Sequence, residues 1–391
     1  MRILQVISAL DAATGGPPIV ATRLAAALAR QEGIEQVTLA AYDWPGRSDA
    51  VHGTLSGVPG IDRVRIVTTP SGGPRERLFA AGVRRCLDPI VRQHNLVHLH
   101  GVWDRILLEA ARLARAAGVP HVVTPHGMLD PWSLEQSRWK KRIALAMGYR
   151  ALLNRAAFIH WLNRDEAALA RPLGLSPPGV VIGNGIFPEE YSNLPQRGAF
   201  RSRHAAIGDA PYALFMARLH HKKGLDVLAE AMRRAAALRP DLHLVVAGPD
   251  DGARDDFQRR VTEAGLSARV HLVGPLYGRD KLAALVDAAM FVLPSRQEGF
   301  SIAITEAMAC ALPVVVSDAC HFPEVAEEKC GHVVPLDAGA TADRMVVLLN
   351  GPVEAAAMGQ RGRALVLDRF TWPQVARQMS DAYRRTLRGK G

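Results

Sequence analysis

The chain has 391 residues, enough for two or three domains each with a core of its own. Hydrophobic residues make up 48% and charged residues 22%, which excludes a disordered, fibrous or disulfide-stapled miniature fold. Lys and Arg outnumber Asp and Glu by 48 to 38, a formal charge of +10, so the surface favours anions: nucleotides, sugar diphosphates, nucleic acid or acidic lipid headgroups.

Met1 to Ile7 is apolar, but Asp11 interrupts it before a signal-peptide core is complete, so it reads as a first strand of a cytosolic protein. Arg23, Arg150 and Glu306 break the longest apolar stretches short of the roughly 18 to 20 residues a membrane span needs. Cys86, Cys310, Cys320 and Cys330 form no C-x-x-C pair and lie among small and apolar neighbours, as reduced core thiols do.

Strands are expected at Ile3–Ile7, Val37–Ala41, Val64–Val67, Leu96–Leu99, Val119–Thr124 and Phe158–Trp161, with helix-length intervals between them. The pattern restarts with Tyr212–Met216, Leu242–Ala247, Val270–Val273, Met290–Leu293 and Pro313–Val316. Alternation of this kind predicts an α/β protein of two tandem Rossmann-like, doubly wound domains facing across a cleft. The expected boundaries are 1–190 for the first domain, a Pro-, Asn-, Gly- and Arg-rich linker at 191–209, 210–371 for the second domain, and a C-terminal helix at 372–391. Ligands in such sheets bind beyond the carboxyl ends of the strands, so the informative residues should follow strands.

After the first strand of the second half comes Arg218-Leu219-His220-His221-Lys222-Lys223-Gly224. Arg218 can fork onto one phosphate while Lys223 acts as a point charge on another; a solvated basic turn is the other reading. Further on, Ser295-Arg296-Gln297-Glu298-Gly299-Phe300-Ser301 follows a strand, and Glu306 lies about two turns into the next helix. Carboxylates only accept hydrogen bonds and so suit sugar and ribose hydroxyls. Gly299 permits close approach of the backbone, and the amides of Phe300 and Ser301 can hold phosphate oxygens.

Together these elements, with Leu312-Pro313-Val314-Val315 behind them, resemble the retaining GT-B glycosyltransferases of family 4, the group 1 glycosyltransferases. The resemblance covers nearly the whole chain. It implies that Arg218 and Lys223 neutralise a nucleotide diphosphate leaving group, that Glu306 holds the ribose and that Glu298 holds the donor sugar. It also implies that the turn at Val273 backs the donor base. In the first half, Gly15-Gly16-Pro17 follows the first strand, where glycines admit a phosphate or an acceptor and Pro17 can open a helix. The order of elements there matches the family. The second domain would then bind the nucleotide sugar, the first the acceptor, and the C-terminal helix would cross back to the first domain.

His98 and His100 share a strand face, and His126 ends the next strand. His98 reads as structural. For His126 three readings stand: an acceptor-side polar residue, a satisfied structural histidine, or a metal ligand. The resemblance favours the first, beside the transferred sugar or the acceptor. Arg138-Trp139-Lys140-Lys141-Arg142 suits either a solvated face or an anionic membrane surface.

The implied function is transfer of a hexose-type sugar from a nucleotide-diphosphate sugar to a saccharide or lipid-linked acceptor in surface polysaccharide synthesis, at the cytoplasmic side. The nucleotide sugar is the donor substrate and no cofactor or metal is expected, consistent with the lack of an Asp-x-Asp element. A GT-B epimerase or phosphorylase is the alternative within the fold. A basic RNA-binding protein is the alternative of another class, disfavoured by 6% aromatic content without a stacking signature.

Overall fold

In parallel sheets covered on both sides, strands are buried on both faces and read as nearly continuous apolar runs. The chain obeys this in both halves. The computed structural model describes residues 1–71 and 80–389. In the first half, β1 (Arg2–Ile7), β2 (Gln36–Asp43), β3 (Val64–Pro70), β4 (Leu96–His100), β5 (His121–Thr124), β6 (Ile159–Trp161) and β7 (Gly179–Val181) form one sheet in the order β3-β2-β1-β4-β5-β6-β7. In the second half, β8 (Tyr212–Met216), β9 (His243–Ala247), β10 (Val270–Gly274), β11 (Met290–Leu293), β12 (Val314–Ser317) and β13 (Gly331–Val334) run in the order β10-β9-β8-β11-β12-β13. Every pairing is parallel.

Each expected strand is present, with ends shifted by up to three residues, the largest at β3, which runs on to Pro70. Pro120 has no amide to donate, and β5 opens only at His121. Two strands escaped the sequence reading. β7 is a three-residue, half-exposed edge, and β13 is four residues long with His332 inside it, so neither makes a long apolar run. Helices cover the sheets through one apolar stripe. In Leu225–Leu238, for example, Leu225, Leu228, Ala229, Met232, Ala235 and Ala236 are buried at helical spacing.

The chain divides into two compact units. One comprises Met1–Asn184 together with the C-terminal segment from Trp372; the other is Gly185–Thr371. In both sheets the strand order reverses at one point, between β1 and β4 in the first unit and between β8 and β11 in the second. At such a point the connections leave toward opposite faces and a crevice opens at the carboxyl ends.

The stretch read as a linker, 191–209, is built into the second unit. Tyr191, Phe200 and Ile207 are buried in its core. The fully buried Asp287 carboxylate accepts from the amides of Gly198 at 2.5 Å, Phe200 at 2.8 Å and Arg201 at 3.1 Å. The C-terminal helix, Trp372–Arg388, packs in the first unit: Gln31 Nε2 donates to the Pro373 carbonyl at 3.3 Å and Arg384 donates to the Glu32 carbonyl at 2.8 Å.

The helical stretch expected from Arg138 toward Arg155 is interrupted. It runs as Arg138–Ala144, a wide turn at Leu145–Tyr149 in which Gly148 leaves helical geometry, and Arg150–Asn154. Trp139, Ile143 and Met147 stand exposed along it. All four cysteines are free thiols, three of them buried.

Helix Pro352–Arg369 crosses the backbone at Ala311 so closely that a Cβ on Gly359 would lie 1.9 Å from the Ala311 carbonyl oxygen. Replacing Gly359 by Ala therefore forces two backbones apart. It should destabilise the second unit by about 1–3 kcal/mol, lowering its thermal midpoint by several degrees (about 2–4 °C per kcal/mol at this size). Calorimetry of the variant checks this.

Candidate functional site

In the second unit the chemistry-bearing residues collect where the strand order reverses. Arg218 follows β8 and Glu298 follows β11, the two strands that flank the reversal. Lys223 Nζ donates to Glu298 Oε1 at 2.6 Å, so an ion pair between residues 75 apart joins the two loops. Both groups are largely buried, and Ser295 Oγ donates to the same carboxylate oxygen at 2.6 Å. The loop geometry that permits this rests on Gly224. Its φ is +70°, and a Cβ there would lie 1.8 Å from the Pro294 carbonyl oxygen, so only glycine lets the first loop lie against the second. A bidentate Arg296–Asp226 pair, at 2.8 and 2.6 Å, ties the same two loops from the side.

Glu306 lies one turn into helix Ile302–Ala309, not two, because the helix opens later than the sequence suggested. Its Oε1 accepts from Lys281 at 2.7 Å. Arg218 extends to the surface and pairs with Asp251 at 2.6 Å. The predicted residues thus fall into separate partnerships: Lys223 with Glu298, Glu306 with Lys281, and Arg218 with Asp251. Lys281 and Asp251 were missed, since nothing local marks them, and Ser295, although within the quoted motif, was given no role. The backbone of Gly299, Phe300 and Ser301 leads into helix Ile302–Ala309, whose first-turn amides have no acceptor within the helix. The Phe300 ring is engaged elsewhere, against Phe322 and Phe370 with centroids 5.3 and 5.8 Å away. Val273 lies half-buried near the end of β10.

In the first unit, Gly15 caps helix Gly16–Ala29, and Pro17 is the second residue of that helix rather than the first. A cavity of about 320 Å³ opens beside it, lined by Ser8, Thr14, Trp44, Arg47, His100 and Asp104 among others. Behind the cavity four imidazoles form a hydrogen-bonded cluster. His160 Nε2 meets the Ile182 carbonyl at 2.7 Å, and because a carbonyl only accepts, this contact sets the direction of the chain behind it. Thr124 Oγ1 then donates to His160 Nδ1 at 2.7 Å, His98 Nε2 donates to Thr124 Oγ1 at 2.6 Å, and the Tyr383 hydroxyl donates to His98 Nδ1 at 2.6 Å. Both ring nitrogens of His98, read from the sequence as structural, are thus engaged within the fold. A second chain runs from His126 Nε2 to His100 Nδ1 at 3.1 Å and from His100 Nε2 to Gln5 Oε1 at 3.2 Å.

Burial keeps all four imidazoles neutral. His98 and His100 are held well below the usual histidine range by burial first and neighbouring imidazoles second. His126 is pushed down to about 3 by burial with help from His160, and His160 to about 4 by burial. Among the described residues no group of three or more His, Cys, Asp or Glu side chains is placed to hold a metal ion.

Two family models match the chain: one described as "Glycosyl transferases group 1" over residues 196–365, and one described as "Glycosyl transferase 4-like domain" over residues 15–185. The chain is 31% identical over 312 residues to alpha-maltose-1-phosphate synthase of Mycobacterium tuberculosis, covering 74% of this chain and 79% of that protein. It is 32% identical over 367 residues to D-inositol 3-phosphate glycosyltransferase of Mycolicibacterium paratuberculosis, covering 86% and 80%. The protein is a group 1 glycosyltransferase. Its fold agrees with the crystal structure of Anabaena HepE in complex with UDP and glucose, at a TM-score of 0.78, 18% identity and coverage of 98% of this chain and 100% of that one. The GT-B class expected from the motifs is therefore the observed one.

Within this glycosyltransferase the ion-paired loops lie inside the first matched range, and the histidine cluster, apart from Tyr383 and Gln5, inside the second. Sequence reading missed His160, Tyr383 and Glu166 because His160 and Tyr383 meet partners remote in the chain, and Glu166 meets Gly127, 39 residues away, besides its local partner Leu162. Glu166 is buried beside the loop that carries His126. Burial pushes its carboxyl up to about 7, against the amides of Leu162 and Gly127, which favour the charged form.

These groups set an acid response whose sign is fixed. The four histidines take up protons below about pH 6.5 in the unfolded chain, but His160 and His126 do so in the folded unit only near 4 and 3. Their contribution is complete above pH 6.5 and is lost as pH falls. Glu166 acts oppositely: its folded pKa is raised, so its contribution is present below about 4.5 and is lost as pH rises through 7. His94 is lowered as well and Asp104 is raised like Glu166, both by burial, so five histidines oppose two carboxyls and the first unit should lose stability between pH 6.5 and 4. Thermal unfolding across this range checks it, and native-state resonances of these histidines that titrate near 6.5 would contradict it.

Proposed function

We propose that this glycosyltransferase transfers a hexose from a nucleotide-diphosphate sugar, with retention of anomeric configuration, to a saccharide or lipid-linked acceptor in the building of a surface polysaccharide. The observation that carries the reading is the Lys223–Glu298 pair, which spans the strand reversal of the second unit at 2.6 Å. An ammonium has three donors, and Glu298 takes one, leaving two for phosphate oxygens. Glu298 Oε1 is occupied by Lys223 and Ser295, and Oε2 is left to accept from hydroxyls of the donor sugar. Glu306 is arranged alike: Lys281 holds Oε1, and Oε2 serves the ribose.

Cleavage of the anomeric bond to a diphosphate leaves positive charge on the sugar and negative charge on the departing oxygen. Arg218 and Lys223 supply fixed cations at the second, and the first-turn amides after Gly299, Phe300 and Ser301 add dipoles. No protein nucleophile is assigned. The acceptor hydroxyl attacks from the face the leaving group vacates and gives its proton to the departing phosphate oxygen, which balances charge and preserves configuration. The turn at Val273 backs the donor base. Gly15 and Gly16 of the first unit admit the acceptor, and His126 hydrogen-bonds it.

Among the described residues no helix is long and apolar enough to cross a membrane. A cytoplasmic protein that meets anionic lipid through Arg138–Arg142 fits the exposed Trp139, Ile143 and Met147 beside those cations.

Replacing Arg218 or Lys223 by Ala should lower turnover by about a hundredfold each in an assay with UDP- and GDP-hexoses and saccharide acceptors. NMR of the product should show the donor's own anomeric configuration, with turnover undiminished by a chelator. An inverted product, or turnover abolished by chelation, overturns this reading.

A further inference from the structure

The loop that leaves β5 carries two successive residues in the left-handed region, His126 at φ 55° and Gly127 at φ 72°. For histidine this conformation is sparsely populated and persists only where its surroundings enforce it. A buried carboxyl from another part of the unit is hydrogen-bonded to this turn. Glu166 Oε1 accepts from the Gly127 amide at 2.6 Å, and Glu166 Oε2 accepts from the Leu162 amide at 2.7 Å. Glu166 is 3% exposed and is the third residue of helix Arg164–Leu169.

A glutamate at this helical position commonly folds back on its own helix start, where a side chain such as Asn163 caps the first turn. Asn163 does cap it, accepting from the Glu166 amide at 2.7 Å. The Glu166 carboxylate goes further: one oxygen serves the chain leaving β6, and the other reaches 39 residues back to the chain leaving β5. It thereby fixes one loop relative to the other at the carboxyl end of the sheet. The imidazole is held from its other side, by His100 Nδ1 at 3.1 Å from His126 Nε2 with the rings stacked 5.3 Å apart.

We propose that Glu166 is the positioning residue for His126: by pinning the Gly127 amide it holds the left-handed turn that presents this imidazole to the acceptor. The inference rests on the reading that His126 meets the acceptor. Its chemistry also explains the choice of side chain. A carboxylate offers an acceptor to each amide, whereas a glutamine of the same size offers one acceptor and turns an N–H toward the other amide.

The test is the glutamine variant, Glu166→Gln, studied in the full chain. Expected are a folded protein, a turnover number lowered about tenfold or more with the donor KM unchanged, and displaced His126 imidazole resonances while those of His160 stay in place. Unchanged His126 resonances in this variant overturn the proposal. A second measurement needs no variant: the Gly127 amide of the native protein should exchange slowly with solvent, and rapid exchange overturns the proposal equally. His126→Ala separates the two readings. Displaced His126 resonances in Glu166→Gln, together with full turnover in His126→Ala, support the positioning role and refute the acceptor-facing one.

Discussion

The second unit is organised around one contact, the ion pair between Lys223 and Glu298. A crevice at a strand reversal is only an opening until something sets the distance between the loops that border it. Here a cation and an anion do so, and a glycine without a side chain lets the loops come close enough for the pair to form. Removing either partner would strand the other in a poorly hydrated place, which is why such pairs are retained at functional sites even where they add little to net stability. The pair also leaves hydrogen-bonding capacity on both partners, which a ligand site requires and a closed structural clamp does not.

The first unit solves a related problem with neutral groups. Three buried imidazoles, the half-buried His126, a threonine, a tyrosine and the Gln5 carbonyl are hydrogen-bonded along two chains, and one chain takes its direction from a backbone carbonyl. Protonating any imidazole would place a charge among unprotonated neighbours without a counterion. The cluster thus behaves as a rigid polar core behind the cavity.

Much of the fold was legible in the sequence because central strands buried on both faces are nearly continuous apolar runs, while the part-exposed edges β3 and β10 still show β-branched residues over four or more positions. The strands that escaped, β7 and β13, are short and only partly buried. Of the candidate site the sequence offered residue types after strands, namely Arg218, Lys223, Glu298 and Glu306. It did not offer the pairing, since Lys281 lies 25 residues from Glu306 and Tyr383 lies 285 from His98. Partnerships over such distances are decided by how strands are ordered in space, which spacing along the chain does not encode. Glu166 illustrates the same limit: in sequence it is an ordinary acidic residue near a helix start, and only the fold brings Gly127 to it.

The C-terminal helix gives the first unit a particular history. Translation delivers the whole second unit before it delivers Trp372–Arg388, so nascent chains carry a nearly finished seven-stranded sheet whose last helical cover is still inside the ribosome. Until that cover arrives, the His98 ring lacks the phenolic donor that completes its network, and the apolar side of Gly16–Ala29 lacks a neighbour. Of the two units, the one whose sheet is made first is thereby completed second, and its completion reports that the other has been synthesised.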